Sequence, residues 1–229
     1  MNSLEIRSRT TADLESDVRA AFDELEVPTE MQTMVFLMLL PLKKESNIHH
    51  SYYKHSLRDG LMGMEAAKIL GLDQRDMLIA GSLHDIGKID VAADILGKHP
   101  WTEKEKLQVH IHVSSGYTKI RDMFPDPAEI MLYHHRFQLH PYPETMPPSS
   151  TAYSPQNDGS NLNRSRELLA IIDTYDALHR PYHDGHMNPR PYTDREIRDK
   201  MMTLHRNRKL TVLYLYEKGI FGNGKSENR

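Results

Sequence analysis

Apolar residues recur along this chain at spacings of three and four, and no stretch alternates apolar with polar, so the chain is confined to helices. Leu14, Val18, Ala21 and Leu25 form a first stripe, closed by Pro28. A second helix is predicted from about Glu30 to Leu40, ending before Pro41. Leu57, Leu61, Met64, Ala67 and Leu70 mark a third stripe that starts near His55 and stops at Gly71, the usual residue beyond a helix C-terminus. Asp73, with Asp76 three residues on, caps a helix whose buried face is Ile79, Leu83 and Ile86, and which runs into His84-Asp85-Ile86-Gly87-Lys88. Thr102 to Glu105 is a capping box opening a helix through His112 towards Arg121, and Thr193 to Glu196 is another. Asp126-Pro127-Ala128-Glu129 supplies an N-cap, a proline at the first position and an acid in the first turn, just ahead of His134-His135. Leu168, Leu169, Ile172 and Tyr175 give a later stripe. The stretch from Pro141 to Asn163, rich in Pro, Ser and Asn, reads as a long exposed loop. The expected fold is all-α, with about eight helices around one core. Residues 1–40 form an N-terminal helical extension packed on that core, 41–222 the main domain and 223–229 a disordered tail.

Composition narrows the chemistry. With 229 residues, 38% of them hydrophobic, the chain can bury one sizeable core. A net charge of −3 gives no positive field to attract a nucleic acid polymer or an anionic membrane surface. The most apolar run, Met34 to Leu40, is too short to span a bilayer and the N-terminus lacks a signal-peptide pattern, so a cytoplasmic location is expected. No cysteine is present, which excludes disulfides, thiolate metal ligands and cysteine nucleophiles. Any metal must be held by nitrogen and oxygen, and 14 histidines supply the nitrogen.

His84 and Asp85 stand next to each other. On a helix their side chains point about 100° apart, so the pair suits two neighbouring ions bridged by the carboxylate rather than one chelated ion. Lys88 at i+4 from His84 places an ammonium where a phosphate oxygen would lie, and Gly87 lets a backbone or ligand come close.

These residues belong to an ordered series of segments: Lys54-His55-Ser56-Leu57-Arg58, His84-Asp85-Ile86-Gly87-Lys88-Ile89, Asp94-Ile95-Leu96, His112 four residues before Gly116, His134-His135, Asp173, Asp176-Ala177-Leu178 and Arg180-Pro181-Tyr182. From Lys54 to about Arg208 the chain resembles the HD superfamily of metal-dependent phosphohydrolases, and within it the HD-GYP subfamily, whose members hydrolyse cyclic dinucleotides. The resemblance implies an HD-domain helical bundle around a dinuclear site, with His55, His84, Asp85, His112, His134, His135 and Asp173 as ligands of two divalent ions. Iron, manganese and zinc all suit such ligands. It implies substrate contacts from Lys88, Tyr142, Asp176 and Arg180, with Asp85 and Lys88 closest to the reaction. Asp176 has a second reading, as acceptor of a hydrogen bond from a ligand histidine.

The segment that gives the subfamily its name differs here. Arg136 follows the histidine pair where the family has Glu, and Leu139-His140-Pro141-Tyr142-Pro143 replaces a Gly-x-Gly-Tyr-Pro ending. Pro141 in place of glycine fixes φ and removes an N–H, so this loop must take another shape. Ser51 stands where some members carry a Glu for a third metal, which leaves two metals expected. His183 stands in place of a further family lysine. His49, His50, His99, His110, His140, His179, His183, His186 and His205 match no ligand position and read as solvated or locally bonded, with His50 the exception to watch because it stands five residues before His55.

The implied reaction is hydrolysis of a small phosphate ester, a cyclic dinucleotide first among them, at two ions about 3.5 to 4 Å apart. Two other functions use the same residues. One is oxygen activation at two irons, as in the HD-superfamily enzyme myo-inositol oxygenase. The other is nucleotide binding without turnover, as in a degenerate signalling module.

Overall fold

The computed structural model describes residues 3–98, 100–137, 141–147, 159–180, 182–183, 186–187 and 190–222. His99, Leu139, His140, Pro181, residues 148–158 of the Pro/Ser/Asn-rich stretch and the tail 223–229 lie outside these residues, as do the side chains of Tyr182, His183 and His186.

The helices are α1 (Ser3–Ser8), α2 (Thr11–Glu24), α3 (Thr29–Lys44), α4 (Asn47–Leu70), α5 (Gln74–Leu83), α6 (Ala93–Leu96), α7 (Glu103–Ile120), α8 (Pro125–Met131), α9 (Gly159–Leu178), α10 (Asp194–Leu204) and α11 (Lys209–Glu217). A 3-10 segment, Ile86–Asp90, links α5 to α6. Two-residue strands, β1 (Tyr182–His183) and β2 (His186–Met187), form a small antiparallel ribbon on an otherwise all-α fold. The described helices outnumber the eight expected because several, such as α1 and α6, are too short to show a stripe. No described helix is long and apolar enough to cross a membrane.

Helix α4 is the centre, packing on α5, α9, α2 and α3. It is buried nearly all round, and the α4–α5 crossing is close because a Cβ on Gly81 would stand 2.7 Å from the Asp59 carbonyl oxygen. Ile6, Leu14, Val18 and Phe22 from the N-terminal helices share one apolar core with Leu57, Leu83, Tyr117, Ile172 and Phe221. A smaller cluster of Tyr52, Val91, Leu96, Trp101 and Val109 seats the 3-10 segment and α6 against α4 and α7.

Caps placed from the sequence at Asp73, Thr102 and Thr193 are present, each side chain accepting the backbone N–H three residues on, and Gly71 ends α4 with φ of 66°. Four expectations are corrected. Helix α3 runs through Pro41 to Lys44; the one carbonyl that loses its partner belongs to Leu37, which is 56% exposed, so water can serve it. Helix α4 begins about two turns before His55, capped by Ser46, since this part buries His49, Tyr52 and Tyr53 rather than an aliphatic stripe. Helix α5 stops at Leu83, and the chain narrows to 3-10 after Asp85, so Lys88 meets Asp85 at i+3 instead of lining up with His84 at i+4. Helix α8 opens at Pro125 with Phe124 as N-cap, because a first proline already fills the position that needs no N–H. The exposed-loop reading of Pro141 to Asn163 also fails at both ends: Tyr142 is buried, and α9 has begun by Gly159.

Candidate metal centre

Six pieces of chain converge at the site. Helix α4 brings His55, Arg58 and Asp59; the end of α5 and the turn after it bring His84 and Asp85; the 3-10 segment brings Lys88. Helix α7 brings His112, the turn after α8 brings His134 and His135, and α9 brings Asp173 and Asp176. All seven residues of the implied ligand set are buried. They fall into two groups whose ligand atoms lie within 4.8 Å of one another: Asp85, His112, His134 and His135, and His55, His84 and Asp173 together with Asp59.

Local backbone chemistry aims the imidazoles. His84, His112 and His134 each donate Nδ1–H to the carbonyl three residues back, of Gly81, Val109 and Met131, which leaves Nε2 as the free lone pair. His55 donates Nδ1–H to Asp176 Oδ2 at 2.8 Å, and Arg58 holds the same carboxylate with two hydrogen bonds of 2.7 Å. The inward nitrogens lie close together: His55 Nε2 and His84 Nε2 are 3.2 Å apart, and His112 Nε2 and His134 Nε2 3.5 Å.

Asp85 lies between the groups. Its Oδ2 is 3.7 Å from His55 Nε2 and 3.6 Å from His84 Nε2, while Oδ1 is 3.4 Å from His112 Nε2. Asp173 is similarly shared, with Oδ1 3.2 Å from His55 Nε2 and Oδ2 4.0 Å from His135 Nδ1.

The electrostatics follow burial. Burial and then neighbouring positive charge, Lys88 for His112 and the adjacent His135 for His134, hold these two imidazoles neutral, His112 pushed down to about 3. Burial and Arg180 also work against a charge on His55, yet Asp59, Asp173 and Asp176 outweigh them and raise it to about 9. Asp85 would be raised by burial, but Lys88 and the surrounding histidines hold it well below the usual carboxylate range. Asp59 goes the other way, raised well above that range by burial and then by Asp176 and Asp173, against the pull of His55.

Among the described residues, neither oxygen of Asp59, neither oxygen of Asp85 and neither nitrogen of His135 has a hydrogen-bond partner. Buried polar and charged groups left in this state cost several kcal/mol each. Divalent cations would satisfy them, and imidazole with carboxylate is a donor set that binds such ions. The residues therefore fit metal.

The residues expected to meet substrate surround these groups. Lys88, 2% exposed, places Nζ 2.9 Å from Asp85 Oδ2 as an ion pair rather than a directed hydrogen bond, and 4.0 Å from the Tyr52 ring centre. Arg180 lies over the same ring at 5.4 Å and 4.0 Å from Asp176 Oδ2. Tyr142 is stacked between His135, at 4.2 Å, and His110, at 3.8 Å. Of the two readings of Asp176, its geometry matches that of an acceptor for a ligand histidine, since both oxygens are taken up by Arg58 and His55.

Several contributors escape a sequence reading. Asp59 carries a weak signal, one turn after His55 on the same helix face. Arg7 of α1 reaches to 3.6 Å from Asp176 Oδ1 without any signal. His49 proves locally bonded as expected, yet its Nε2 lies 3.2 Å from the carbonyls of both Lys88 and Val91 and so clips the 3-10 segment. His50 is turned away, on Thr11 and the Lys43 carbonyl.

No curated protein is significantly similar to the chain. The family model of the HD domain matches residues 52–179, more than half of it, from the turn before His55 to just past Asp176. The buried histidine–aspartate groups lie within that span, and the chain belongs to the HD family, a superfamily of metal-dependent phosphohydrolases.

Proposed function

We propose that the protein hydrolyses a phosphodiester of a cyclic dinucleotide or a related nucleotide, using two divalent ions. The observation that carries this reading is the position of Asp85, one oxygen towards each of two buried donor groups. His112, His134 and His135 would hold one ion, His55, His84 and Asp173 the other, with Asp85 between. Bound there, divalent ions supply Lewis acidity towards a phosphoryl oxygen and lower the pKa of water.

The chain's own residues do the rest. Lys88 sits beside the bridging carboxylate and brings a positive charge to a phosphate oxygen as charge builds on it. Tyr52 supports that ammonium from the other side with its ring face. Asp176, clamped by Arg58, keeps His55 in the tautomer that points Nε2 inward. Tyr142 covers His135 and excludes water from that side. Direct attack of water on phosphorus needs no covalent enzyme intermediate.

The cyclic dinucleotide is supported by the ordered segments shared with the HD-GYP subfamily, and the altered segment around Pro141 is the part that would reshape the pocket. The test is to load the protein with manganese, iron or zinc and to offer cyclic dinucleotides, linear dinucleotides and mononucleotides in parallel. Cleavage of a cyclic dinucleotide to its linear product is expected. Turnover of mononucleotides alone would move the substrate class, and oxygen uptake by an iron form without phosphate chemistry would replace hydrolysis with the oxidative reading.

A further inference from the structure

We propose that Asp59 is a metal ligand, and that it makes the two halves of the centre chemically unequal. This rests on reading the two donor groups as a metal centre.

Asp59 projects from α4 one turn beyond His55, and it is fully buried. Its Oδ1 is 3.4 Å from His55 Nδ1 and its Oδ2 3.8 Å from His84 Nε2, beyond hydrogen-bond reach in both directions. The role of accepting the His55 proton is already filled by Asp176 at 2.8 Å. Both Asp59 oxygens therefore lack a hydrogen-bond partner among the described residues, while a ligand atom of Asp59 stands within 4.8 Å of one each from His55, His84 and Asp173. Its backbone is held against α5 by the Gly81 contact, so the side chain cannot retreat to solvent by a small shift of the helix. A carboxyl group so buried either stays protonated or stands opposite a cation, and an ion held by His55, His84 and Asp173 would supply that cation within reach of both its oxygens.

Counting Asp59, one group offers two imidazoles and two carboxylates, and the other three imidazoles and one carboxylate. Carboxylate-rich sites suit manganese and magnesium, whereas imidazole-rich sites suit zinc and iron. The Asp59 group is accordingly the harder site, and the two ions fill in order of their chemistry instead of equivalently.

The test uses full-length protein stripped with a chelator and titrated separately with Mn²⁺ and Zn²⁺, reading free Mn²⁺ by EPR and heat by calorimetry. Wild type should show two classes of site with opposite preference. Asp59→Asn should weaken the Mn²⁺-preferring class by about tenfold or more, the scale at which even groups outside the ligand shell affect affinity. The Zn²⁺-preferring class should move less than about threefold. Asp59→Ala, which removes the donor altogether, should do the same and guards against an amide oxygen standing in. The melting temperature of stripped Asp59→Asn should equal or exceed that of stripped wild type, because a buried carboxyl group that makes no hydrogen bond is replaced by a neutral amide of the same shape; a structural acceptor would give a fall. Unchanged Mn²⁺ binding in both variants, equal loss of both classes, or a lower melting temperature of the stripped variant would each overturn the role of Asp59. A wild-type protein that binds neither ion would instead overturn the metal centre itself.

Discussion

Replacing Gly87 with alanine tests how closely the turn that carries Asp85 is seated against α7. A Cβ at this position would lie 2.0 Å from the His112 carbonyl oxygen and 2.8 Å from the Gly116 nitrogen, where ordinary contact begins at 3.4 Å. The obstructing atoms are backbone, so no side-chain rotation relieves the clash, and the 3-10 segment and α7 must part by about 1.4 Å. Overpacking costs roughly 1–3 kcal/mol, and a backbone obstruction in a buried turn puts this case near the top, about 3 kcal/mol. For a chain of this size that corresponds to a melting temperature lower by about 6–12 °C. The same wedge acts between two candidate ligands, because His112 owns the obstructing carbonyl and Asp85 lies two residues before Gly87. Their 3.4 Å separation would widen, and metal retention should fall with stability. Thermal unfolding of the stripped protein and metal content after dialysis measure the two effects. A variant that melts within about 2 °C of wild type and keeps its metal would refute the close seating of the turn.

Asp85→Ala and His84→Ala should each abolish metal retention and turnover together, and a fully active Asp85→Ala protein would remove the bridging assignment. Lys88→Ala should keep its metal while turnover drops roughly 10²-fold, as for loss of one electrostatic stabiliser; a parallel loss of metal would show that the ion pair with Asp85 matters more than contact with phosphate. Arg58→Ala should destabilise the protein by about 3 kcal/mol by leaving the fully buried Asp176 without its bidentate partner. A cost under about 1 kcal/mol in chemical denaturation would mean that Arg7 and Arg180 take over the carboxylate.

What could be read in the sequence was what is local in cause. Asp73, Thr102 and Thr193 cap helices by bonding within three residues, and Gly71 stops one by its own conformational freedom, so these features survive without tertiary context. The start of α4 could not be read, because packing around Tyr52 and Tyr53 buries a stretch that looks polar. The narrowing to 3-10 after Asp85 was equally hidden, since the apolar spacing of Leu83 and Ile86 fits either geometry, and the seating of Gly87 on α7 decides it. For the site, order along the chain and family likeness brought seven candidates to one place, although His55 and Asp173 lie in segments far apart. Nothing in the sequence separates Asp59 from a solvated carboxylate one turn from a histidine, which is common on helices. Only the packing of α5 and α9 on α4 shows that it has no solvent. Arg7 was out of reach for the same reason, since nothing in α1 says which carboxylate it will meet.

Hydrolysis at the centre formed around Asp85 is tested most directly by following product formation from a cyclic dinucleotide and from bis(p-nitrophenyl) phosphate with one protein preparation, first stripped, then reloaded with metal, beside Asp85→Asn treated alike. Turnover absent in the stripped protein, restored by reloading and absent in Asp85→Asn under the same metal is the predicted result. A reloaded protein with both sites filled that cleaves no phosphate ester, or an Asp85→Asn variant that cleaves as fast as wild type, would contradict it.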